Sequence, residues 1–408
     1  MTDENLQAII ELGSLNLKCV IFRINNENIP EIVSANTSRS KGIHNSTIIN
    51  LSEASNAIRA CVGEAEKKTN ISLKKINVVL EQPEFLCTKF SKERKIDGSQ
   101  IHKDDIDFLL KEAKKQVTLN DEKQSIIHIF NHNYIVDGKI FVEEPIDVHA
   151  DYLSHEMTFI TMPKNNIKNI KHVFNNCDLE IERFISSTFS LSVNLLNNYD
   201  IKFGSTLIDI GFERTSLGLF KNFALIHSIT FPIGINHITK DISKVCSLTL
   251  NESNIIKNSI DFSFNDNSKV FCKEGYLRKD FFSNSNFRKI SQDLLLKVIK
   301  ERINEILKIT KKQIELMGSS LIFSKKIFIT GGGSNILNLE KYCSKVFDSD
   351  VKKLEINSSY VGEKKIDPNF NACLGALKII VDGWETEAIP KTGEKYGQKA
   401  PFFMRFFT

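Results

Sequence analysis

The chain has 408 residues, 41% of them hydrophobic and 25% charged, and a net charge of +4. This length allows two or more domains, the charge is too small to argue for nucleic acid, and the apolar runs are too short to span a bilayer. Eight scattered cysteines without a C-x-x-C pair, and nine histidines without H-E-x-x-H, exclude a disulfide framework and the common zinc spacings, and fit reduced cytosolic thiols. The acidic start, Met1 to Asn5, has no signal-peptide core. Residues 6–24 read as a β-hairpin about Gly13, with β-branched and apolar residues on both sides. Residues 51–68 read as a helix capped by Ser52 or Ser55, with Ala57, Ile58 and Cys61 on its apolar face. Residues 76–80 read as a buried strand. From about Glu81 the texture changes. Strands over 85–90, 125–130, 140–142 and 157–161, with an amphipathic helix over 103–117, read as a small inserted strand–helix–strand–strand domain. A helix over 165–175 leads to a strand over 181–185. The second half opens with a hairpin from Leu207, a strand over 225–231 and a helix starting near Ile233. Residues 259–287 read as loop or weak strand, and 290–315 as a long amphipathic helix. Residues 371–380 read as a small-residue-rich helix suited to close packing. From Asp382 to Lys399 the composition is that of a flexible linker, and 401–408 is abruptly apolar.

The hairpin is written twice. Ile9-Ile10-Glu11-Leu12-Gly13-Ser14 and Leu207-Ile208-Asp209-Ile210-Gly211 each read as apolar strand, acid, one residue, glycine, with a second apolar strand following. Such a repeat implies two related halves. Ile327-Phe328-Ile329-Thr330-Gly331-Gly332-Gly333 is a third strand running into glycines. A carboxylate at the end of a buried strand beside a glycine turn suits a metal–phosphate group. In a nucleotide site of this kind, Gly13 lets backbone N–H groups approach phosphate, and Ser14 adds a hydroxyl donor. Lys18, on the returning strand, reaches a phosphate oxygen. Glu11 and Asp209 face each other across a cleft and hold Mg²⁺ mostly through water, with Asp209 positioning the hydrolytic water. Gly331, Gly332 and Gly333 let adenine and ribose lie against the backbone. The expectation is an ATP–Mg²⁺ complex held between two α/β lobes.

These motifs in this order resemble the actin-like ATPase superfamily, and more closely its FtsA family of bacterial cell-division proteins. Ser40-Lys41-Gly42-Ile43 resembles the family's S-x-G-I segment. The stretch from Ile233 to Ile242 resembles its G-x-x-x-T-x-D-I stretch, and 298–306 its long 2B helix. The resemblance spans nearly the whole chain. It implies an α/β, actin-like two-lobed fold of duplicated ribonuclease H-like domains with an inserted 1C subdomain. Subdomain 1A comprises 1–82, 163–200 and 364–385, 1C comprises 83–162, 2A comprises 201–245 and 325–363, and 2B comprises 246–324. A linker, 386–399, and a membrane-targeting tail, 400–408, follow. The resemblance also implies head-to-tail filaments, tethering of FtsZ to the cytoplasmic membrane, and recruitment of later division proteins at the division site. It adds Gly211 and Thr215 to the phosphate residues and gives Lys257 a ribose contact. Arg302 falls where the family meets the acidic C-terminal tail of FtsZ, and an Arg can hold a carboxylate by paired hydrogen bonds. Phe402, Phe403, Arg405, Phe406 and Phe407 fall where the family carries its membrane-targeting helix, and aromatics around a cation suit an anionic lipid surface.

The chain also departs from the family pattern. Glu11 replaces the usual Asp, and Asn254 the usual Glu. The second turn, Asp209-Ile210-Gly211-Phe212-Glu213-Arg214-Thr215, has lost two glycines. Glu213 brings negative charge toward phosphate, which is unfavourable unless it points away, and Arg214 could offset it by pairing with a phosphate oxygen. The expectation is nucleotide binding with at most slow hydrolysis, in a protein that is mainly an adaptor. Two other actin-fold readings are weighed. A pilus-assembly ATPase would lack the aromatic tail. A sugar or acetate kinase would need a substrate acid in the cleft and intact phosphate glycines.

Overall fold

The alternation of apolar residues builds the first hairpin directly. In the computed structural model, which describes residues 6–25, 29–263, 267–316, 326–354, 359–361 and 364–382, β1 (Leu6–Leu12) pairs antiparallel with β2 (Asn16–Ile24). β3 (Pro30–Arg39) adds to β2 and opens on a proline, as an edge strand can. A small hairpin, β4 (Ile43–His44) and β5 (Thr47–Ile48), leads into helix α1 (Leu51–Lys67). The cap of α1 is Asn50, one residue upstream, and not Ser52 or Ser55. Asn50 is extended and its side chain accepts from the Glu53 amide, leaving both serines inside the first turns. β6 (Lys75–Leu80) then runs parallel to β1.

The inserted block follows as β7 (Leu86–Lys95), α2 (Lys103–Asn120), β8 (Gln124–Val136), β9 (Lys139–Phe141) and β10 (Tyr152–Pro163). Its four strands form their own sheet in the order β7-β10-β8-β9. Two apolar clusters, one around Leu109, Tyr134 and Leu153 and one around Ala113, Met157 and Phe159, join α2 to this sheet. Between them in sequence lies His155, 1% exposed and stacked on the Tyr134 ring at 4.3 Å. Neither imidazole nitrogen has a hydrogen-bond partner among the described residues. The chain returns through α3 (Lys164–Asn175) to β11 (Glu180–Ser186), parallel to β6. Helices α4 (Ser187–Leu195) and α5 (Asn198–Phe203) follow.

The second half holds β12 (Ser205–Ile210), β13 (Thr215–Lys221), β14 (Ala224–Phe231), α6 (Ile235–Cys246) and α7 (Leu250–Ser259). One short 3-10 turn, Lys279–Phe281, and isolated bridges occupy the region read as loop or weak strand. Then come α8 (Gln292–Leu316), β15 (Ile327–Thr330), α9 (Leu339–Phe347) and β16 (Val351–Lys353). A final hairpin, β17 (Ser359–Val361) and β18 (Lys364–Ile366), precedes α10 (Asn371–Val381).

The written repeat is a repeat of topology. The first sheet runs β3-β2-β1-β6-β11 and the second β14-β13-β12-β15-β16, which is the same order of third, second, first, fourth and fifth strand. In both, the fourth and fifth strands are parallel to the first or to each other. This is the actin-like two-lobed fold with an inserted subdomain. By contacts the chain divides into 1–204, 218–230 and 356–408, and 205–217 with 231–355. The stretch Gly218–Thr230 groups with the first unit because it packs there. The Ser228 amide donates to Cys87 Sγ at 3.2 Å, and Asn222 Nδ2 to Asn133 Oδ1 at 2.7 Å. Within that unit α4 and α10 cross so closely that a Cβ on Gly375 would lie 1.8 Å from the Ser190 carbonyl oxygen.

Candidate functional site

In the first unit the candidate site is the turn between β1 and β2. A Cβ on Gly13 would stand 2.4 Å from the Asn16 carbonyl oxygen, so only glycine closes this turn undisturbed. The register sets Glu11 opposite Lys18, and Lys18 Nζ bonds Glu11 Oε2 at 2.9 Å. The metal and phosphate candidates of this turn are thus a preformed ion pair. Ser14 Oγ is sealed from solvent and has no hydrogen-bond partner among the described residues. Below the turn lies a buried polar brace that sequence reasoning missed. Ser46 Oγ donates to the Leu12 carbonyl, Gln82 Nε2 to the Ser46 carbonyl at 2.6 Å, and Asn166 Nδ2 to Gln82 Oε1 at 2.9 Å. Gly42, at φ +68°, accepts at its carbonyl from the Ile49 and Asn50 amides, which fixes the start of α1. The Cys373 and Cys19 thiols are pushed well up by burial, and Cys373 Sγ lies 3.8 Å from the Lys18 carbonyl.

In the second unit Asp209, next to last in β12, is in register with Thr330 on β15. Gly331 turns away at φ +86°, where a Cβ would come 2.1 Å from Asp209 Oδ1. A Cβ on Gly333 would meet Ile210 Cγ2 at 2.5 Å, whereas nothing lies within 4 Å of one on Gly332. Two glycines are therefore needed for packing against the strand carrying Asp209, and the middle one has open space. The turn after Asp209 is closed on itself. The Gly211 amide donates to the Arg214 carbonyl at 2.8 Å, and the buried Thr215 hydroxyl donates to the Ile233 carbonyl at 2.7 Å. In this conformation Gly211 and Thr215 shape the turn and spend their donors internally. The start of α6 completes it, with the Ile235 amide donating to the Gly211 carbonyl and the Asn236 amide to the Phe212 carbonyl. Gly234 makes that possible, since a Cβ there would be 2.6 Å from the Arg214 nitrogen. Glu213, the charge that looked unfavourable beside phosphate, faces Lys240 Nζ at 3.8 Å on α6.

Lys257 is buried on α7 with its Nζ on Asn254 Oδ1 at 2.9 Å, so the residue replacing the family's Glu is its partner. Burial lowers its pKa to about 8. One turn earlier, burial raises the Glu252 pKa, but hydrogen bonds from Ser285, the Asn284 amide and Thr249 outweigh it and hold the carboxyl well below its usual range. The loop after α7 is tied to the chain beyond Gly333. The Phe262 amide donates to the Leu337 carbonyl at 2.9 Å, and Asn338 Nδ2 to Asp261 Oδ2 at 2.9 Å. Arg302, on α8, is half-buried. Its Nε and Nη2 meet Asp241 Oδ2 and Oδ1 at 2.6 and 3.2 Å, and Nη1 meets Glu305. The linker, 386–399, and Phe402, Phe403, Arg405, Phe406 and Phe407 lie outside the described residues. Among the described residues no helix is long and apolar enough to cross a membrane.

Residues 206–375 match the family described as Cell division protein FtsA, and residues 85–161 match the SHS2 domain inserted in FtsA. The chain belongs to the FtsA family. FtsA proteins among its relatives include that of Agrobacterium fabrum, 21% identical over 361 residues, covering 85% of this chain and 80% of the relative. That of Buchnera aphidicola subsp. Schizaphis graminum is 24% identical over 381 residues, covering 90% and 89%. That of Borreliella burgdorferi is 23% identical over 401 residues, covering 97% and 95%. Among solved structures, a PilM-PilN type IV pilus biogenesis complex aligns at TM-score 0.61 with 11% identity, covering 90% of this chain and 96% of that one. MreB5 of Spiroplasma citri bound to AMPPNP aligns at 0.52 with 13% identity, covering 92% and 96%. At such identities the structures speak for the fold alone. The pilus-assembly alternative shares this FtsA-family fold, and it is the sequence matches that separate the two.

Proposed function

We propose that the chain is an ATP-binding, filament-forming adaptor of cell division, which tethers FtsZ to the cytoplasmic face of the membrane at the division site and helps recruit later division proteins. The observation that carries nucleotide binding is the Ser14 hydroxyl, sealed in the glycine turn beside the Glu11–Lys18 pair and without a partner among the described residues. A buried hydroxyl left unbonded is costly, and a phosphate oxygen would satisfy it. The donor set fits the group. Lys18 and Ser14 would hold phosphate in one unit. Asp209 and the glycine turn 331–333 would serve phosphate and adenosine in the other, with Lys257 toward the ribose. Glu11 and Asp209 would hold Mg²⁺ through water, and the ion would neutralise phosphate charge. Because Gly211 and Thr215 already spend their donors within the turn, this site clasps nucleotide better than it stabilises a leaving phosphate.

Ser14→Ala should weaken binding of a fluorescent ATP analogue by roughly tenfold, the value of one charge-assisted hydrogen bond. Unchanged affinity would remove the turn from the site. ATP turnover should stay below about one per second, at the low end for enzymes, and faster turnover would overturn the adaptor reading. Arg302→Glu should weaken binding of the acidic FtsZ tail at least about tenfold, by replacing a carboxylate partner with a like charge. Removing 400–408 should abolish co-sedimentation with anionic liposomes. A single short aromatic segment binds weakly, so attachment would rely on many copies along a filament.

A further inference from the structure

Arg302 does not wait empty for a partner. Its guanidinium carries five N–H groups, and three of them are already given to two acids of different standing. Asp241 comes from the neighbouring helix α6 and takes the Nε–Nη2 edge through both of its oxygens. Its side chain is 29% exposed, close to the 26% of Arg302. Glu305 comes from Arg302's own helix, three residues on, touches Nη1 alone, and is 45% exposed. A two-point pair from another helix fixes the plane of a guanidinium. A single contact at i+3 on an exposed helix face holds its partner only weakly. The outer edge of the group, Nη1 with Nη2, is the edge a second carboxylate takes in a paired geometry, and Glu305 sits on one of its two nitrogens. Paired Asp241 and Glu305 also leave the cluster with one excess negative charge, which an acidic partner meets unless one acid swings away.

Resting on the reading of Arg302 as the site of an acidic FtsZ tail, we propose that the two acids have opposite roles. Asp241 is a positioning residue that fixes the guanidinium, and Glu305 is a placeholder that the partner's carboxylate displaces. If net charge alone governed binding, removing either negative group would strengthen it. Asp241 also lies one residue after Lys240, the partner of Glu213 in the turn beyond Asp209. The helix that holds Arg302 in place is thus the one built onto that turn.

The test is calorimetric titration of the full chain with a synthetic peptide of the cognate FtsZ C-terminus, at low and at physiological salt. Glu305→Gln is expected to strengthen binding by about threefold, in keeping with loss of one exposed pair. Asp241→Asn is expected to weaken it by about fivefold, with Asp241→Glu recovering part of the loss, as for a disordered Arg. Circular dichroism melting accompanies each variant, and a loss of affinity without a change in melting separates positioning from damage to the fold. Stronger binding by both variants, or weaker binding by Glu305→Gln, overturns the assignment. If Arg302→Glu leaves the peptide's affinity unchanged, the partner site itself is misplaced. If Arg302→Glu abolishes binding while Glu305→Gln has no effect, the placeholder alone fails.

Discussion

The same Gly→Ala substitution takes opposite signs at the crossing of α4 and α10 and in the open interior of α1. An added Cβ on Gly375 would lie 1.8 Å from the Ser190 carbonyl oxygen and 2.5 Å from its carbon, both backbone atoms. Real Cβ contacts start at about 3 Å, so the helices must part by more than 1 Å. Parting them strains the Ser190 Oγ to Ala372 carbonyl bond and the Asn194–Asn371 bond. Overpacking of this kind costs about 1–3 kcal/mol, and a lost hydrogen bond about 1 kcal/mol. The helix preference of Ala over Gly returns about 1 kcal/mol, so Gly375→Ala should destabilise by roughly 1–3 kcal/mol. Gly63 lies inside α1 with nothing within 4 Å of its Cβ direction. There the preference acts alone, and Gly63→Ala should stabilise by about 0.5–1 kcal/mol. Urea denaturation followed by circular dichroism measures both. The reasoning is refuted if Gly375→Ala is as stable as the parent, or if both variants move in the same direction. Because Cys373, two residues before, contacts the Lys18 carbonyl, Gly375→Ala should also weaken ATP-analogue binding.

His155 should make the inserted subdomain acid-labile. Burial, then the Lys103 charge, lowers its pKa from 6.5 to about 3. The unfolded chain therefore binds a proton that the fold refuses, and stability falls as pH drops from about 6.5 toward 3. At pH 4.5 the loss is roughly 2–3 kcal/mol. His155→Phe should remove this part of the pH dependence in paired urea titrations at pH 7.5 and 4.5, and an unaltered difference would count against it. Lys257, lowered to about 8, should take up a proton when the nucleotide binds. ATP affinity should then fall above pH 8 by up to tenfold per unit, and a profile that stays steep in Lys257→Met would exclude it. Gly331→Ala should lower both stability and ATP binding, because its Cβ meets Asp209 at a positive φ. Gly332→Ala should leave melting unchanged and weaken nucleotide binding alone. An affinity equal to the parent's would take adenosine off that turn.

What could be read from sequence depended on whether a signal is local. The first hairpin was legible because Ile, Val and Phe alternate about a glycine. The inserted block was legible because the periodicity switches from strand to helix and back over a short span. Helix α4 was not. Every residue of Ser-Thr-Phe-Ser-Leu-Ser-Val is buried, so it has no polar face and no period to detect. β3 was hidden by its polar stretch Ser-Ala-Asn-Thr-Ser, which only its place at the sheet edge explains. The acid and glycine spacing exposed both glycine turns, but not what closes them. The Ile235 amide and Ser46 lie far along the chain from the carbonyls they serve, as does Gln82, and no spacing announces such meetings. The partner of Glu213 was hidden for the same reason, because Lys240 becomes its neighbour only once α6 docks.

The inserted subdomain begins and ends on adjacent strands, since Leu86 on β7 pairs with Thr161 on β10. The chain thus leaves the first sheet and comes back to it through a doorway one strand spacing wide. Whatever hangs beyond that doorway can grow, shrink or be exchanged without moving β6 or β11. The second half, with the same five strands, has accepted its extra helices at a different crossover, between its third and fourth strands. A duplicated fold of this kind evolves like a frame with two separately replaceable panels. Partner recognition can then drift in each panel while the five-strand order of each sheet is kept.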